Sequence, residues 1–91
     1  MPAPLKLYHL DYCPFCHKVR RAADALGVAL ELVEINAHPE ARAMLLRERG
    51  RATVPVLHIP DPLGGPGTLL PESSDIVRYL RANASALRSA A

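Results

Sequence analysis

Cysteine is scarce in this chain. It has two in 91 residues, both inside the block Cys13-Pro14-Phe15-Cys16. Without a second CxxC, the four ligands of a structural zinc site are not at hand. His9 and His17 flank the pair and leave an incidental metal or cluster site open. A structural staple across four residues would stabilise a fold by only about 2 kcal/mol. A chain that is 49% hydrophobic can bury a core without it. An excess of charge of one sign is also lacking. Eleven basic and nine acidic residues give +2, too balanced to argue for nucleic acid or an anionic membrane. No apolar run approaches the roughly 20 residues of a membrane span. Met1-Pro2-Ala3-Pro4 lacks the basic stretch and long apolar segment of a signal peptide. With no repeat and no linker, residues 1–91 are expected to form one domain. Two cysteines and no export signal place it in a reducing cytoplasm, where disulfides tend to be transient and catalytic.

What is present is a dithiol at a junction. The apolar run Leu5 to Leu10 precedes it, and a helical pattern, Lys18 to Leu26, follows. A cysteine there meets the unpaired N–H groups and positive dipole end of a helix, which favour thiolate over thiol. Pro14 suits the first helical turn, where its missing N–H had no partner to lose. Cys16 lies three residues on, on the same side of the helix. Redox chemistry is the favoured reading, with a metal or cluster site and a structural staple as its alternatives.

The periodicities predict a strand over Leu5 to Leu10 and a helix from about Pro14 to Leu26. Val19, Ala22, Ala23 and Leu26 face inward in that helix, and Gly27 stops it. Val28 to Ile35 alternates and reads as a second strand. A second helix is expected over about Pro39 to Arg49, with Ala41, Met44 and Leu45 inward and Gly50 closing it. Val54 to Ile59 is a third strand, 60–67 a loop rich in proline and glycine, and Thr68 to Leu70 a short returning strand. The last helix starts near Ser73 or Ser74 and buries Ile76, Val77 and Leu80, with Asn83 to Ala91 as a weak extension or tail. The order β-α-β-α-β-β-α implies an α/β fold. One parallel crossover followed by a hairpin makes a four-stranded mixed sheet with helices on both faces. The dithiol then falls at the carboxyl end of the first strand, the edge where open α/β sheets place ligands.

Cys13-Pro14-Phe15-Cys16, Thr53-Val54-Pro55 before the third strand, and Pro71-Glu72-Ser73-Ser74-Asp75-Ile76 opening the last helix together resemble a glutaredoxin of the thioredoxin superfamily. Pro-Phe is close to the Pro-Tyr of dithiol glutaredoxins and unlike the Gly-Pro of thioredoxins. The Glu72-Ser73 element, with Asp75-Ile76 and Tyr79-Leu80 after it, is similar to the N-terminal domain of glutathione transferases. The chain ends after that half, so conjugating transferase activity is not expected.

The resemblance implies a thioredoxin/glutaredoxin-like fold and a glutathione-dependent thiol–disulfide oxidoreductase. Glutathione is its co-substrate, and disulfide-containing or glutathionylated proteins are its partners. Cys13 is the implied nucleophile and Cys16 the resolving thiol. Val54–Pro55 is implied to be cis, with Val54 offering its backbone to substrate. Glu72, Ser73, Ser74 and Asp75 would take the γ-glutamyl end of glutathione, although Ser73 or Ser74 as a plain helix cap is an equal reading. Tyr12 and Phe15 would cover the sulfur and peptide. Arg49 and Arg51 could meet the glycyl carboxylate, a solvated helix end being the simpler account. No metal is expected, and a monomer is. A cluster-binding module using Cys13 and glutathione, and a noncatalytic glutathione-binding domain, are the rival functions; Pro14 speaks against the first and the paired cysteines against the second.

Overall fold

The computed structural model describes residues 5–89; the N-terminal segment Met1-Pro2-Ala3-Pro4 and the last two residues, Ala90 and Ala91, lie outside the described residues. The elements follow the expected order: β1 (Leu5–His9), α1 (Pro14–Leu26), β2 (Leu30–Glu34), α2 (Pro39–Arg49), β3 (Val56–Ile59), β4 (Thr68–Pro71) and α3 (Ser73–Ser89). The sheet runs β2-β1-β3-β4. β1 pairs parallel with β2 (Leu7 opposite Leu32) and antiparallel with β3 (Leu7 opposite Leu57), and β3 pairs antiparallel with β4 (Leu57 opposite Leu70). β1 is therefore central.

Strand alternation sorts the core into two layers. Leu5 and Leu7 of β1 and Leu57 of β3 pack with Val19 and Ala23 of α1 and Ile76, Val77, Leu80 and Ala84 of α3. Tyr8 and Val56 point the other way and pack with Ile35 and with Ala41 and Leu45 of α2. Two helices thus cover one face and one helix covers the other.

Five strand boundaries differ from the sequence expectation; β4 runs one residue further, to Pro71 opposite Val56, and the other four have local reasons. Leu10 is outside β1 because its carbonyl accepts the Cys13 N–H at 3.1 Å, closing the turn to α1. Val28 is outside β2 because its N–H goes to the Ala23 carbonyl as part of the α1 cap, with Gly27 left-handed at φ 71°. Ile35 is outside it because Glu34 starts a turn there, its carboxylate accepting the Asn36 and Ala37 N–H groups. β3 begins at Val56 rather than Val54, since Pro55 has no N–H to give to a ladder.

Of the extension or tail expected from Asn83, the extension is found. The last helix runs to Ser89, with Ala84 buried and Leu87 packed on the core. Arg88 reaches across the fold, and its Nη1 donates to the Leu26 carbonyl at 2.7 Å, satisfying one free carbonyl at the end of α1. Arg88→Ala should cost about 1 kcal/mol, a typical net value for a hydrogen bond. Denaturant unfolding checks this through a lower midpoint at unchanged slope.

Candidate active site

The site is built on the turn between β1 and α1. Cys13 is the residue before the helix, extended at φ −86° and ψ 117°, and Pro14 is the first helical residue. Cys13 is half-buried, and its Sγ accepts the backbone N–H of Cys16 at 3.4 Å. One of the orphan donors at the start of α1 is thus aimed at the sulfur. The turn is held from the helix side, where the His17 ring Nε2 hydrogen-bonds the Asp11 carbonyl. His17 therefore braces the loop instead of standing free in solvent.

The two thiols are not equivalent. Both are free, but Cys16 is 0% exposed. Burial, chiefly, pushes its thiol up to about 12, and the neighbouring Cys13 sulfur adds to this against the Leu10 main chain and Arg20. The sign of the consequence is definite. Between the ordinary value of 9.0 and about 12, the folded protein holds a proton that the unfolded chain has lost. Stability is whole below pH 9 and falls as pH rises through that window. Reduced protein should lose stability there more steeply than Cys16→Ala, as measured by denaturant midpoints at several alkaline pH values.

An open cleft of about 350 Å³ reaches the dithiol block at Phe15. Phe15 forms one wall, Thr53-Val54-Pro55 another, and Pro71 to Ser74 the third. The Val54–Pro55 peptide bond is cis. Arg49, at the end of α2, donates through Nη1 to the Thr53 Oγ1 at 3.2 Å and to its carbonyl at 3.5 Å, tying the second wall to the helix. Arg51 also lines the cleft and is exposed; among the described residues its guanidinium has no hydrogen-bond or ion-pair partner. Glu72 sits at φ 72°, a left-handed conformation costing a non-glycine residue about 1–2 kcal/mol, and its carbonyl accepts the Ile76 N–H. Ser73 and Ser74 open α3, where backbone N–H groups have no helical partner.

Of the residues singled out from the sequence, Phe15, Val54, Pro55, Glu72, Ser73 and Ser74 are brought together around this cleft. Tyr12, Cys13, Cys16 and Asp75 do not line it. Tyr12 is 74% exposed beside Cys13, and Phe15 is 61% exposed. Asp75 pairs with Arg78 at 3.4 Å, one turn along α3. Sequence reasoning missed the Arg49–Thr53 tie and the conformation of Glu72, for which no motif exists. A second cleft of about 500 Å³, lined by Tyr8, Met44, His58 and Gly67 among others, lies on the α2 side of the sheet. Among the described residues, no group of three His, Cys, Asp or Glu side chains gathers as a metal site, and no helix is long and apolar enough to cross a membrane.

A helix-capping cysteine with a buried partner one turn on, set beside a cis-proline loop on a β2-β1-β3-β4 sheet, defines a glutaredoxin-like member of the thioredoxin superfamily. The chain belongs to the family described as "Glutathione S-transferase, N-terminal domain", which matches residues 7–88. It is 32% identical over 56 residues to a glutaredoxin of Pseudomonas aeruginosa, an alignment covering 62% of this chain and 67% of that one. Its structure is similar to glutaredoxin 2 of Salmonella typhimurium in complex with glutathione (TM-score 0.66, 34% identity), covering 88% of this chain and 33% of that one. It is similar also to a Bombyx mori glutathione transferase (TM-score 0.69, 30% identity), covering 90% of this chain and 37% of that one. This chain thus spans about a third of each of those two longer proteins.

Proposed function

We propose that this protein is a glutathione-dependent thiol–disulfide oxidoreductase that reduces glutathione mixed disulfides and protein disulfides through Cys13 and Cys16. The observation that carries the reading is the asymmetry of the pair: a partly exposed Cys13 whose sulfur receives a helix N–H, over a Cys16 that is fully buried. Cys13 attacks the glutathione sulfur of a mixed disulfide, and the protein thiol leaves with the electron pair. A second glutathione then attacks the Cys13-bound sulfur and returns Cys13 to its reduced form. With a protein disulfide, Cys16 displaces the target from Cys13 and closes the Cys13–Cys16 bond, which two glutathiones reopen.

The cleft supports glutathione as the reductant on charge. Glutathione carries two carboxylates and one ammonium. The start of α3 offers N–H groups and the Ser73 hydroxyl to the γ-glutamyl carboxylate, and Glu72 offers an acid to the ammonium. Arg51, across the cleft, suits the glycyl carboxylate, since Arg49 is engaged with Thr53. The solved glutaredoxin 2 that this chain resembles holds glutathione. The proposal covers a single-domain, cytoplasmic monomer in which glutathione is the only cofactor. Reduction of a small glutathione mixed disulfide, coupled to glutathione reductase and NADPH, tests the reading. Turnover that requires Cys13 supports it, and its absence in fully reduced protein overturns it.

A further inference from the structure

Side-chain charge is divided unevenly over this fold. α1 and α3 pack together on one face of the sheet and carry six basic residues against Asp24 and Asp75. The rest of the chain has five basic and seven acidic residues, so a net +2 conceals a helical layer at +4 and a remainder at −2. Part of that excess stands beside the nucleophile. Cys16, Val19 and Ala23 make the buried side of α1, and at 3.6 residues per turn Pro14, Lys18 and Arg21 fall opposite, all exposed. Among the described residues neither Lys18 nor Arg21 has a hydrogen-bond or ion-pair partner. Neither lines the cleft that the proposed function gives to glutathione. We infer that this stripe is a docking surface for the disulfide-bearing target, and that it selects targets with acidic residues close to the reacting cysteine.

Helix geometry sets the spacing. Lys18 and Arg21 lie about 7.5 and 12 Å beyond Cys13 along α1, at about 1.5 Å per residue. An extended target segment advances about 3.3 Å per residue, so carboxylates about two and four residues from the target cysteine reach Lys18 and Arg21. Lys18 is also within about one Debye length of the nucleophile at physiological salt, and its charge acts on an approaching target before contact. The acidic side chains nearby are placed elsewhere. Asp11 of the turn lies 3.8 Å from His9 Nδ1, Asp75 pairs with Arg78, and Glu72 lines the glutathione cleft. Asp24 follows Arg21, on the side away from the dithiol. Tyr12, 74% exposed next to Cys13 and outside that cleft, gives the same surface an aromatic contact. Because the stripe begins at a thiol, its occupant is a protein segment carrying a disulfide and not a lipid surface or a nucleic acid.

This inference rests on the thiol chemistry of Cys13 in the proposed function and not on glutathione, so its test uses no glutathione. Two short peptides each carry one cysteine as its thiopyridyl disulfide, one with glutamates and one with lysines at the second and fourth positions on both sides. Cys13 attacks the peptide sulfur, the peptide–pyridyl sulfur bond breaks, and the thiopyridyl group leaves with the electron pair and takes a proton from solvent. Neutral dithiodipyridine, which has no charge for the stripe to read, measures the reactivity of Cys13 itself. At low salt the acidic peptide should react about tenfold faster than the basic one, as expected when two exposed ion pairs turn from attractive to repulsive. The ratio should fall toward one in about 1 M salt, where the Debye length is about 3 Å. Replacing Lys18→Glu and Arg21→Glu together should invert the preference, with rates taken relative to dithiodipyridine. Arg42→Glu with Arg47→Glu on α2, the same change in net charge on the other face of the sheet, should leave it as in wild type. Equal rates for the two peptides, with the dithiodipyridine reaction intact, overturn the inference alone. So does an equal shift from the α2 pair, which would make net charge the cause. Failure of wild type to react with dithiodipyridine overturns the proposed function and this inference with it.

Discussion

Cys13→Ser should reduce turnover of glutathione mixed disulfides to the uncatalysed rate, while Cys16→Ser retains much of it. The thiolate is the attacking species, and a serine hydroxyl cannot replace it at neutral pH. Cys13 is the partly exposed sulfur of the pair. Cys16 contributes two separable things. Its thiol, buried and pushed up to about 12, is idle while a second glutathione clears Cys13. Its backbone N–H, which donates to the Cys13 sulfur at 3.4 Å, survives replacement of the side chain. Protein disulfides that depend on intramolecular displacement should separate the variants differently, with Cys16→Ser failing there as a trapped mixed disulfide. Steady-state assays with both substrate types check this. Equal loss from both variants on the small mixed disulfide would show that the roles are misassigned.

Ser73→Ala should lower kcat/KM for glutathione about ten- to a hundredfold while leaving reduction by dithiothreitol nearly intact. Ser73 is half-buried at the first position of α3, on the cleft wall, where its hydroxyl and the free helix N–H groups converge. A hydrogen bond to a charged group is worth roughly 1.5–3 kcal/mol, which sets the size of the effect. Dithiothreitol carries no carboxylate, so the split between reductants isolates recognition from folding. Asp75→Ala should have the smaller effect, because its carboxylate pairs with Arg78 and does not line the cleft. A parallel fall with both reductants would mean that Ser73 caps α3 and does nothing more.

Much of this architecture was legible in one dimension because local physics sets it. Gly27 and Gly50 stop their helices in left-handed conformations at φ 71° and 75°, as their positions after two helical patterns announced. Two-residue alternation in β1 and three-to-four-residue spacing in α1 and α3 named the core. A cysteine followed by proline at a strand-to-helix junction named the reactive group. The sequence leaves the end of the last helix open between extension and tail, because Asn83-Ala84-Ser85-Ala86 has little hydrophobic signal of its own. What makes it helical is the contact of Ala84 and Leu87 with the core and of Arg88 with Leu26, 62 residues away.

The sequence by itself determined the order of elements, the dithiol and its place at the edge of the sheet, since each depends on residues near one another in the chain. Only the tertiary structure decided how completely Cys16 is buried, that Arg49 braces Thr53 while Arg51 has no hydrogen-bond or ion-pair partner among the described residues, and that Asp75 turns toward Arg78. It alone showed that His9 of β1 is buried with no hydrogen bond to its Nδ1 among the described residues. Those properties depend on burial and on distances between segments far apart in sequence, and neither exists until the chain has packed.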